Sequence, residues 1–339
     1  MTVWAVLRTW CGRVGVALAC ALGGAAWAAE AVPVDTRQLP LALVPHAQVL
    51  EDRSGQLDLA GAQAQREGWR PASGTALSLG ISRSAYWVQW RLVNPSAQAR
   101  ELVIDLGQPR QDFALWHVLR DGGRRVEQVA SGDRLPFSQQ PLPERHIALP
   151  LHLAAQEEVQ VWVRLSTYDG LFDVLPVTLH SSAGYAAKMD ADDRSLMLFH
   201  GVLLALGLYN LLLFAATRQA AFGHYAHYIA WFSVWNATWS GMAWQHLWPQ
   251  APAFNNDFLT LSAAGAFVAV GLFALSYLRL REQVARGWVI ALQGLVALNV
   301  VVALGALSGH YTLWAATGWA TGLPLSRLGM GLATYLAWR

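Results

Sequence analysis

Hydrophobic and polar positions change their pattern near residue 194 of the 339-residue chain. Upstream, apolar and polar residues alternate over short runs, which is typical of strands with one buried face. Downstream, apolar segments continue to the last residue and are interrupted by few charges: Arg218, Asp257, Arg279, Arg281, Glu282, Arg286, Arg327 and Arg339. Water-soluble domains need more surface charge than this, so the pattern predicts a membrane protein that carries a folded domain.

The second half contains five apolar segments that approach the roughly 20 residues needed to cross a bilayer as a helix. We place these spans at Leu196–Thr217, Tyr225–Trp244, Phe258–Leu278, Trp288–Leu307 and Thr312–Trp338. They define a predicted helical transmembrane domain over residues 195–339.

Arginines predict how these spans are oriented. The basic residues outside the spans are Arg218 after the first span, Arg279, Arg281 and Arg286 after the third, and Arg339 at the end. The alternate loops, at 245–257 and 308–311, hold neither lysine nor arginine. Because basic loops stay in the cytoplasm, we expect a multi-pass protein of the bacterial inner membrane with a periplasmic N-terminal domain and a cytoplasmic C-terminus.

Residues 1–28 have the pattern of a secretory signal peptide. Two arginines precede an apolar core at Val14–Gly24, and Ala26-Trp27-Ala28 supplies small residues for cleavage. An uncleaved signal anchor is the alternative. Both cysteines, Cys11 and Cys20, lie inside this segment, so we expect no disulfide and no cysteine-bound metal in the mature chain.

Residues 31–190 predict an all-β domain. In Ala85–Asn94, Tyr86, Val88, Trp90 and Leu92 share one side of a strand, while Trp87, Gln89 and Arg91 share the other. Several short runs of this kind, separated by turn residues, are typical of an antiparallel β-sandwich.

Several segments resemble a known receptor family. They are "GISRSAYWVQWRLVN" (80–94), "SGDRLPF" (131–137), "VWVRLSTYDGLFDVLPVTLHS" (161–181), "GVLLALGLYNLLLF" (201–214), "AWQHLWP" (243–249) and "SYLRLRE" (276–282). The first three resemble the type 2 extracellular domain of bacterial seven-transmembrane receptors with diverse intracellular signalling modules, and the others resemble that family's membrane domain.

The resemblance implies a jelly-roll sandwich related to carbohydrate-binding modules, followed by a seven-helix sensor. Family members usually continue into a histidine kinase, a diguanylate cyclase or a similar output domain. This chain departs from the pattern because it ends at Arg339 with five spans, and because Gln89 stands where the family often has arginine.

A candidate ligand platform follows from the alternation. Trp87, Gln89 and Arg91 lie on one face of their strand, and Trp162 and Arg164 lie on one face of another. Aromatic faces flanked by planar hydrogen-bonding groups suit a sugar ring. The alternative is that Trp87 is a core residue and that the arginines are solvated or pair with acids such as Asp105.

The sequence contains no motif that indicates catalysis, metal binding or nucleic-acid binding. No nucleophile elbow, paired zinc histidines or phosphate-loop lysine is present, so we expect no enzyme activity, no cofactor and no metal. Lys188 is the only lysine, which argues against a nucleic-acid surface. The acidic cluster Asp190, Asp192 and Asp193 suits calcium, or a solvated helix N-terminus, and we favour the latter.

The layout as a whole predicts a sensory receptor. It would bind a periplasmic small molecule or carbohydrate and signal across the lipid bilayer to a separate partner, a kinase or a diguanylate cyclase. Two alternatives stay open: a truncated fragment of a receptor kinase or cyclase, and a membrane-anchored carbohydrate-binding module without signalling.

Overall fold

Two β-sheets and a set of long helices form the two parts of the chain. The computed structural model describes residues 31–107, 109–308 and 310–338, and the predicted signal peptide lies outside them. An all-β part followed by apolar helices is the architecture that the residue pattern predicts, and it is confirmed.

Within the described residues, the β part contains eleven strands and one short α-helix, besides short 3-10 turns. They are β1 (Ala31–Pro33), β2 (Leu41–Ala42), β3 (Gln48–Asp52), α1 (Leu59–Ala64), β4 (Arg70–Pro71), β5 (Ala85–Val93), β6 (Arg100–Asp105), β7 (Phe113–Arg120), β8 (Arg125–Ser131), β9 (Ala148–Leu153), β10 (Glu158–Ser166) and β11 (Thr178–Ser181). The larger sheet has the order β4-β3-β5-β10-β7-β8, with β1 parallel to β5, and the smaller has the order β2-β11-β6-β9.

The core of this sandwich lies between the two sheets. Tyr86, Val88, Trp90 and Leu92 of β5 are buried there, together with the inward residues of β6 and β10. The Nε1 of Trp90 donates to the Leu43 carbonyl at 2.9 Å, which satisfies its one polar atom. The predicted division of β5 into an inner and an outer face is therefore confirmed.

Seven helices follow in the described part of the chain. They are α2 (Ser182–Thr217), α3 (Ala220–Trp239), α4 (Met242–His246), α5 (Pro252–Tyr277), α6 (Leu280–Gln283), α7 (Arg286–Ala306) and α8 (Tyr311–Ala337). Helix α5 packs against α3, α7 and α8, and α2 packs against α3. Three of these helices, α2, α5 and α7, are both long and apolar enough to cross a membrane. Each of the five predicted spans coincides with a long helix, but α3 and α8 are less apolar than the other three.

Helix α2 begins at Ser182, well before the predicted span start at Leu196. The Ser181 hydroxyl accepts from the Gly184 amide at 3.1 Å and caps the helix. Its 36 residues extend about 54 Å, more than the roughly 30 Å of bilayer hydrocarbon. The first turns of α2 instead pack against the β part, through Tyr185 and Met189.

The acidic cluster lies inside α2 rather than at its N-terminus, so that expectation is wrong. Asp192 pairs with Lys188 at 3.2 Å on the same helix, and Asp193 forms an ion pair with Arg145 of the sandwich. The reason is the early start of α2, which follows directly after β11.

Helix α3 ends at Trp239, so the predicted span end at Trp244 is also wrong. The chain turns at Gly241, where φ is +79°, and a Cβ there would lie 2.9 Å from the Cβ of Pro109. Close approach of the sandwich therefore requires glycine at this position, and Trp244 belongs to the separate helix α4.

We expect Gly132→Ala to destabilise the protein more than Gly122→Ala. Gly132 has φ +138°, and a Cβ there would lie 2.1 Å from the Asp112 carbonyl oxygen. Gly122 has φ +66° with nothing within 4 Å, so its substitution costs only left-handed strain of about 1–2 kcal/mol. Thermal unfolding of the full chain in nanodiscs, followed by circular dichroism, measures both, and equal losses would contradict the packing at Gly132.

Candidate functional site

The predicted platform lies on the outer face of the larger sheet. Strands β5 and β10 pair so that Trp162 is opposite Gln89 and Arg164 is opposite Trp87. In the same register Gln160 is opposite Arg91. All five predicted residues therefore share one face of two neighbouring strands, as a common platform requires.

The aromatic members of this platform are covered by another segment of the chain. Trp87 is 1% exposed and Trp162 is 5% exposed. They pack beneath residues 53–69, here named the cover segment, whose contacting side chains include Leu57, Ala62 and Trp69. The Trp69 ring meets the Trp162 ring edge-on at 5.3 Å. The platform is an interface between the sheet and the cover segment rather than an open surface.

Polar contacts hold the cover segment at its N-terminal end. The Asp52 carboxylate accepts from Ser54 Oγ at 2.6 Å and from the amides of Gly55 and Leu57 at 2.9 Å. Burial tends to raise the pKa of Asp52, but these hydrogen bonds outweigh it and hold the pKa below its usual value. Arg164 Nη2 donates to the Gly55 carbonyl at 2.7 Å. The platform arginine thus ties the sheet to the cover segment.

The other platform arginine has a different role. Arg91 forms an ion pair with Glu158 at the strand edge, and both side chains are partly exposed. Asp105, the acid considered for such pairing, instead contacts His146 at 3.1 Å and Lys188 at 3.5 Å.

His117 completes the platform, although the sequence argument did not include it. It lies opposite Trp162 in the β7–β10 pairing, and its ring stacks on Trp87 with centroids 5.6 Å apart. Burial lowers the pKa of His117 and so favours the neutral ring. Alternation along β7, with Trp116 and Val118 directed inward, was the signal that would have placed His117 on this face.

Three buried nitrogens of this group lack hydrogen-bond partners among the described residues: Trp87 Nε1, Trp162 Nε1 and His117 Nε2. Buried polar atoms without partners are costly, and such atoms in proteins usually mark a bound water, a ligand or a functional role. Two donors and one ring nitrogen within a single aromatic cluster suit a ligand that carries hydroxyl groups.

A second feature joins the sandwich to the helices. The connection at 240–251, which contains the short helix α4 and is here named the docking loop, carries Trp244, which is fully buried in the sandwich core. The Phe137 ring meets the Trp244 ring edge-on at 5.1 Å, and the Phe137 amide donates to the Pro249 carbonyl at 2.8 Å. Gln250 Nε2 also donates to Ser138 Oγ at 3.2 Å. A residue from the connection between α3 and α5 is therefore part of the hydrophobic core of the β part.

Arginine contacts extend this junction to the end of α3. Arg110 Nη1 donates to the Trp239 carbonyl at 2.9 Å, and its guanidinium lies 3.5 Å from the centre of the Trp239 ring. Arg110 also pairs with Asp173 at 3.0 Å. A cation over an aromatic face is favourable when it is shielded from water.

A buried carboxylate connects the smaller sheet to α2. Burial tends to raise the pKa of Asp105, but the His146 hydrogen bond, the Gly107 amide and the Lys188 charge hold the pKa below its usual value. Nearby, Tyr185 and Met189 of α2 pack against the outer face of the same sheet. The first turns of α2 are thus part of the β domain.

Comparison with protein families accounts for both parts. A family model described as 7TMR-DISM extracellular 2 matches residues 44–181, and one described as 7TM diverse intracellular signalling matches residues 193–339. The chain belongs to the family of seven-transmembrane receptors with diverse intracellular signalling modules. No curated protein matches it.

In this receptor the two matched regions are structurally continuous. The boundary between them, at 181–193, lies within the outer turns of α2. The docking loop lies within the membrane-domain match, yet Trp244 is buried in the extracellular domain. A residue of the membrane-domain match therefore belongs to the hydrophobic core of the extracellular domain.

We expect Trp244→Ala to destabilise the receptor by about 3–5 kcal/mol, because it empties a fully buried aromatic site. Trp338→Ala is the matched control, since Trp338 is 88% exposed. Chemical unfolding of the full chain in nanodiscs, followed by near-ultraviolet circular dichroism, measures both. Equal effects would show that the docking loop adds nothing to the sandwich core.

Proposed function

We propose that this receptor is a sensor of the bacterial inner membrane that acts without catalysing a reaction. It binds a periplasmic small molecule or carbohydrate and passes the signal through helix packing to a separate output protein, a kinase or a diguanylate cyclase, on the cytoplasmic side. The observation that carries the proposal is the burial of Trp244, from a loop between helices, in the sandwich core.

Because Trp244 lies in the sandwich core, ligand binding to the sandwich can be coupled to the packing of the helices. Helix α2 continues directly from β11, and the docking loop links the ends of α3 and α5 to the sandwich. A ligand that favours one shape of the sandwich therefore favours one arrangement of three helix ends. Such a ligand shifts the helix arrangement only by its difference in affinity for the two states.

The platform is the proposed ligand site. Its aromatic rings Trp87 and Trp162, its unpartnered nitrogens and the side chains of Gln89, Arg91 and Arg164 match the needs of a hydroxyl-bearing ring. The ligand would enter between the sheet and the cover segment. Arg164, which binds the Gly55 carbonyl, would exchange that partner for a ligand oxygen.

A carbohydrate-binding module held by a membrane anchor is the second candidate function. The platform serves both candidates equally, but an anchor needs only one apolar helix. Three described helices are long and apolar enough to cross a membrane, and they pack into one assembly that reaches into the sandwich. This favours signalling.

Impermeant maleimide labelling tests the orientation. In a chain whose Cys11 and Cys20 are replaced by serine, we expect Arg124→Cys to react in intact cells, because Arg124 is exposed at the β7–β8 turn. Arg281→Cys, exposed between α5 and α7, should react only after the membrane is permeabilised. The reverse pattern would overturn the proposed topology and the receptor proposal with it.

Transcript profiling tests the ligand site. Genes that respond to deletion of the receptor are identified first, and the variants Gln89→Ala and Arg164→Ala are then compared with the wild type. We expect both variants to shift those genes toward the deletion pattern, because each removes a planar hydrogen-bonding group from the platform.

Arg124→Ala is the matched control and should give the wild-type profile, since Arg124 is exposed and is not one of the platform residues. If deletion of the receptor changes no transcripts, the non-signalling anchor is favoured. If deletion changes them but neither platform variant does, the ligand site lies elsewhere.

A further inference from the structure

A cavity of about 500 Å³ lies where the extracellular domain meets the ends of the helices. The sandwich contributes four carboxylates to its wall: Asp112, Asp133, Asp169 and Asp173. The cavity is separate from the platform, which lies on the outer face of the larger sheet.

Two of these four carboxylates have an arginine partner. Asp173 pairs with Arg110 at 3.0 Å, and Asp112 pairs with Arg134 at 3.2 Å. Within the part of the chain that the structure describes, Asp133 and Asp169 form no ion pair. Two arginines, Arg110 in the wall and Arg134 beside Asp112, therefore face four carboxylates.

Asp133 is the carboxylate of this wall whose charged form is most disfavoured by its surroundings. It is 3% exposed, and its Oδ1 has no hydrogen-bond partner among the described residues. Burial, followed by the neighbouring charge of Asp112, raises the pKa of Asp133 well above its usual value. Burial also raises the pKa of Asp169. A cation bound beside these carboxylates would favour their charged form.

The helices supply aromatic rings and one amide to the same cavity. Trp235 of α3 and Trp319 of α8 line it, together with Asn256 of α5. Asn256 is 6% exposed, and its Nδ2 donor has no partner among the described residues. Indole rings attract cations and bury apolar surface, while a buried amide donor requires an acceptor.

The side chains around the cavity suit an organic cation better than a metal. No group of three or more histidine, cysteine, aspartate or glutamate side chains among the described residues is arranged to hold a metal ion. Two carboxylates beside indole rings match an ammonium group that is attached to an apolar body.

We infer that this junction cavity binds a small organic amine that also carries a hydroxyl or carbonyl group. The ammonium group pairs with Asp133 and Asp169, the acceptor takes the Asn256 Nδ2 hydrogen bond, and the apolar part contacts Trp235 and Trp319. Because the cavity is lined by the sandwich and by three helices, the amine would bind both parts at once. Binding at this site does not require the proposed signalling function.

Calorimetric titration of the full chain in nanodiscs tests the inference. The probe is phenylethanolamine, which has an amine, a hydroxyl and an aromatic ring. The comparison compound is phenylethanediol, in which a hydroxyl of similar size replaces the amine. We expect heat of binding from the amine and at least tenfold weaker binding of the diol. Equal binding of the two compounds, or no binding of the amine, would overturn the inference.

Asp133→Asn removes the charge and keeps the side-chain shape. We expect about tenfold weaker binding of phenylethanolamine, the loss typical of a hydrogen bond to a charged group. Asp121→Asn, at an exposed turn, is the control and should bind as the wild type does. Thermal unfolding checks that the Asp133→Asn variant is folded. We expect it to fold, because the neutral asparagine amide suits a site where burial disfavours a charged side chain.

Asp169→Asn provides a second variant if Asp133→Asn does not fold, because Asp169 is less deeply buried. Unchanged affinity of the folded variants for the amine would overturn the assignment of these carboxylates. The titration reports binding alone, so a failed transcript experiment would leave it intact, and a failed titration would leave the platform proposal intact.

Discussion

The burial of Trp244 inside the sandwich is the constraint on which the rest of the structure depends. A tryptophan side chain buries more apolar surface than any other, and this one comes from a loop that connects two helices of the membrane part. The sandwich core is complete only when that loop is docked. The sharp turn at Gly241 and the early end of α3 follow from the same contact, because the chain must leave the helix to reach the core.

The larger sheet links the proposed ligand site to this docked residue. Strand β5 carries Trp87 on its outer face and Trp90 on its inner face, and β10 carries Trp162 and Val163 in the same way. The inner residues share a core with Trp244. Since close-packed cores respond to displacement by repacking, the proposed signal would pass from these strands, under the cover segment, to the docking loop.

Three charged residues form contacts across the junction between the two parts. Arg110 binds the end of α3, Arg145 binds Asp193 of α2, and Lys188 of α2 approaches the buried Asp105. Apolar packing alone is tolerant of rotation, whereas a buried ion pair is favourable only with its partner in place. Asp133 and Asp169, which form no such pair among the described residues, line the junction cavity.

The amino-acid sequence by itself determined the periodic features of this protein. Alternation in β5 and β10 placed five residues on one outer face, and hydropathy located the long helices, because both patterns report which side of an element is buried. Only the tertiary structure decided what buries each side. The cover segment over Trp87, the start of α2 at Ser182 and the position of Trp244 depend on contacts between residues distant in the chain. Trp244 ends an apolar run, as an interfacial tryptophan of a membrane helix would, and hydropathy does not distinguish lipid from the core of a neighbouring domain.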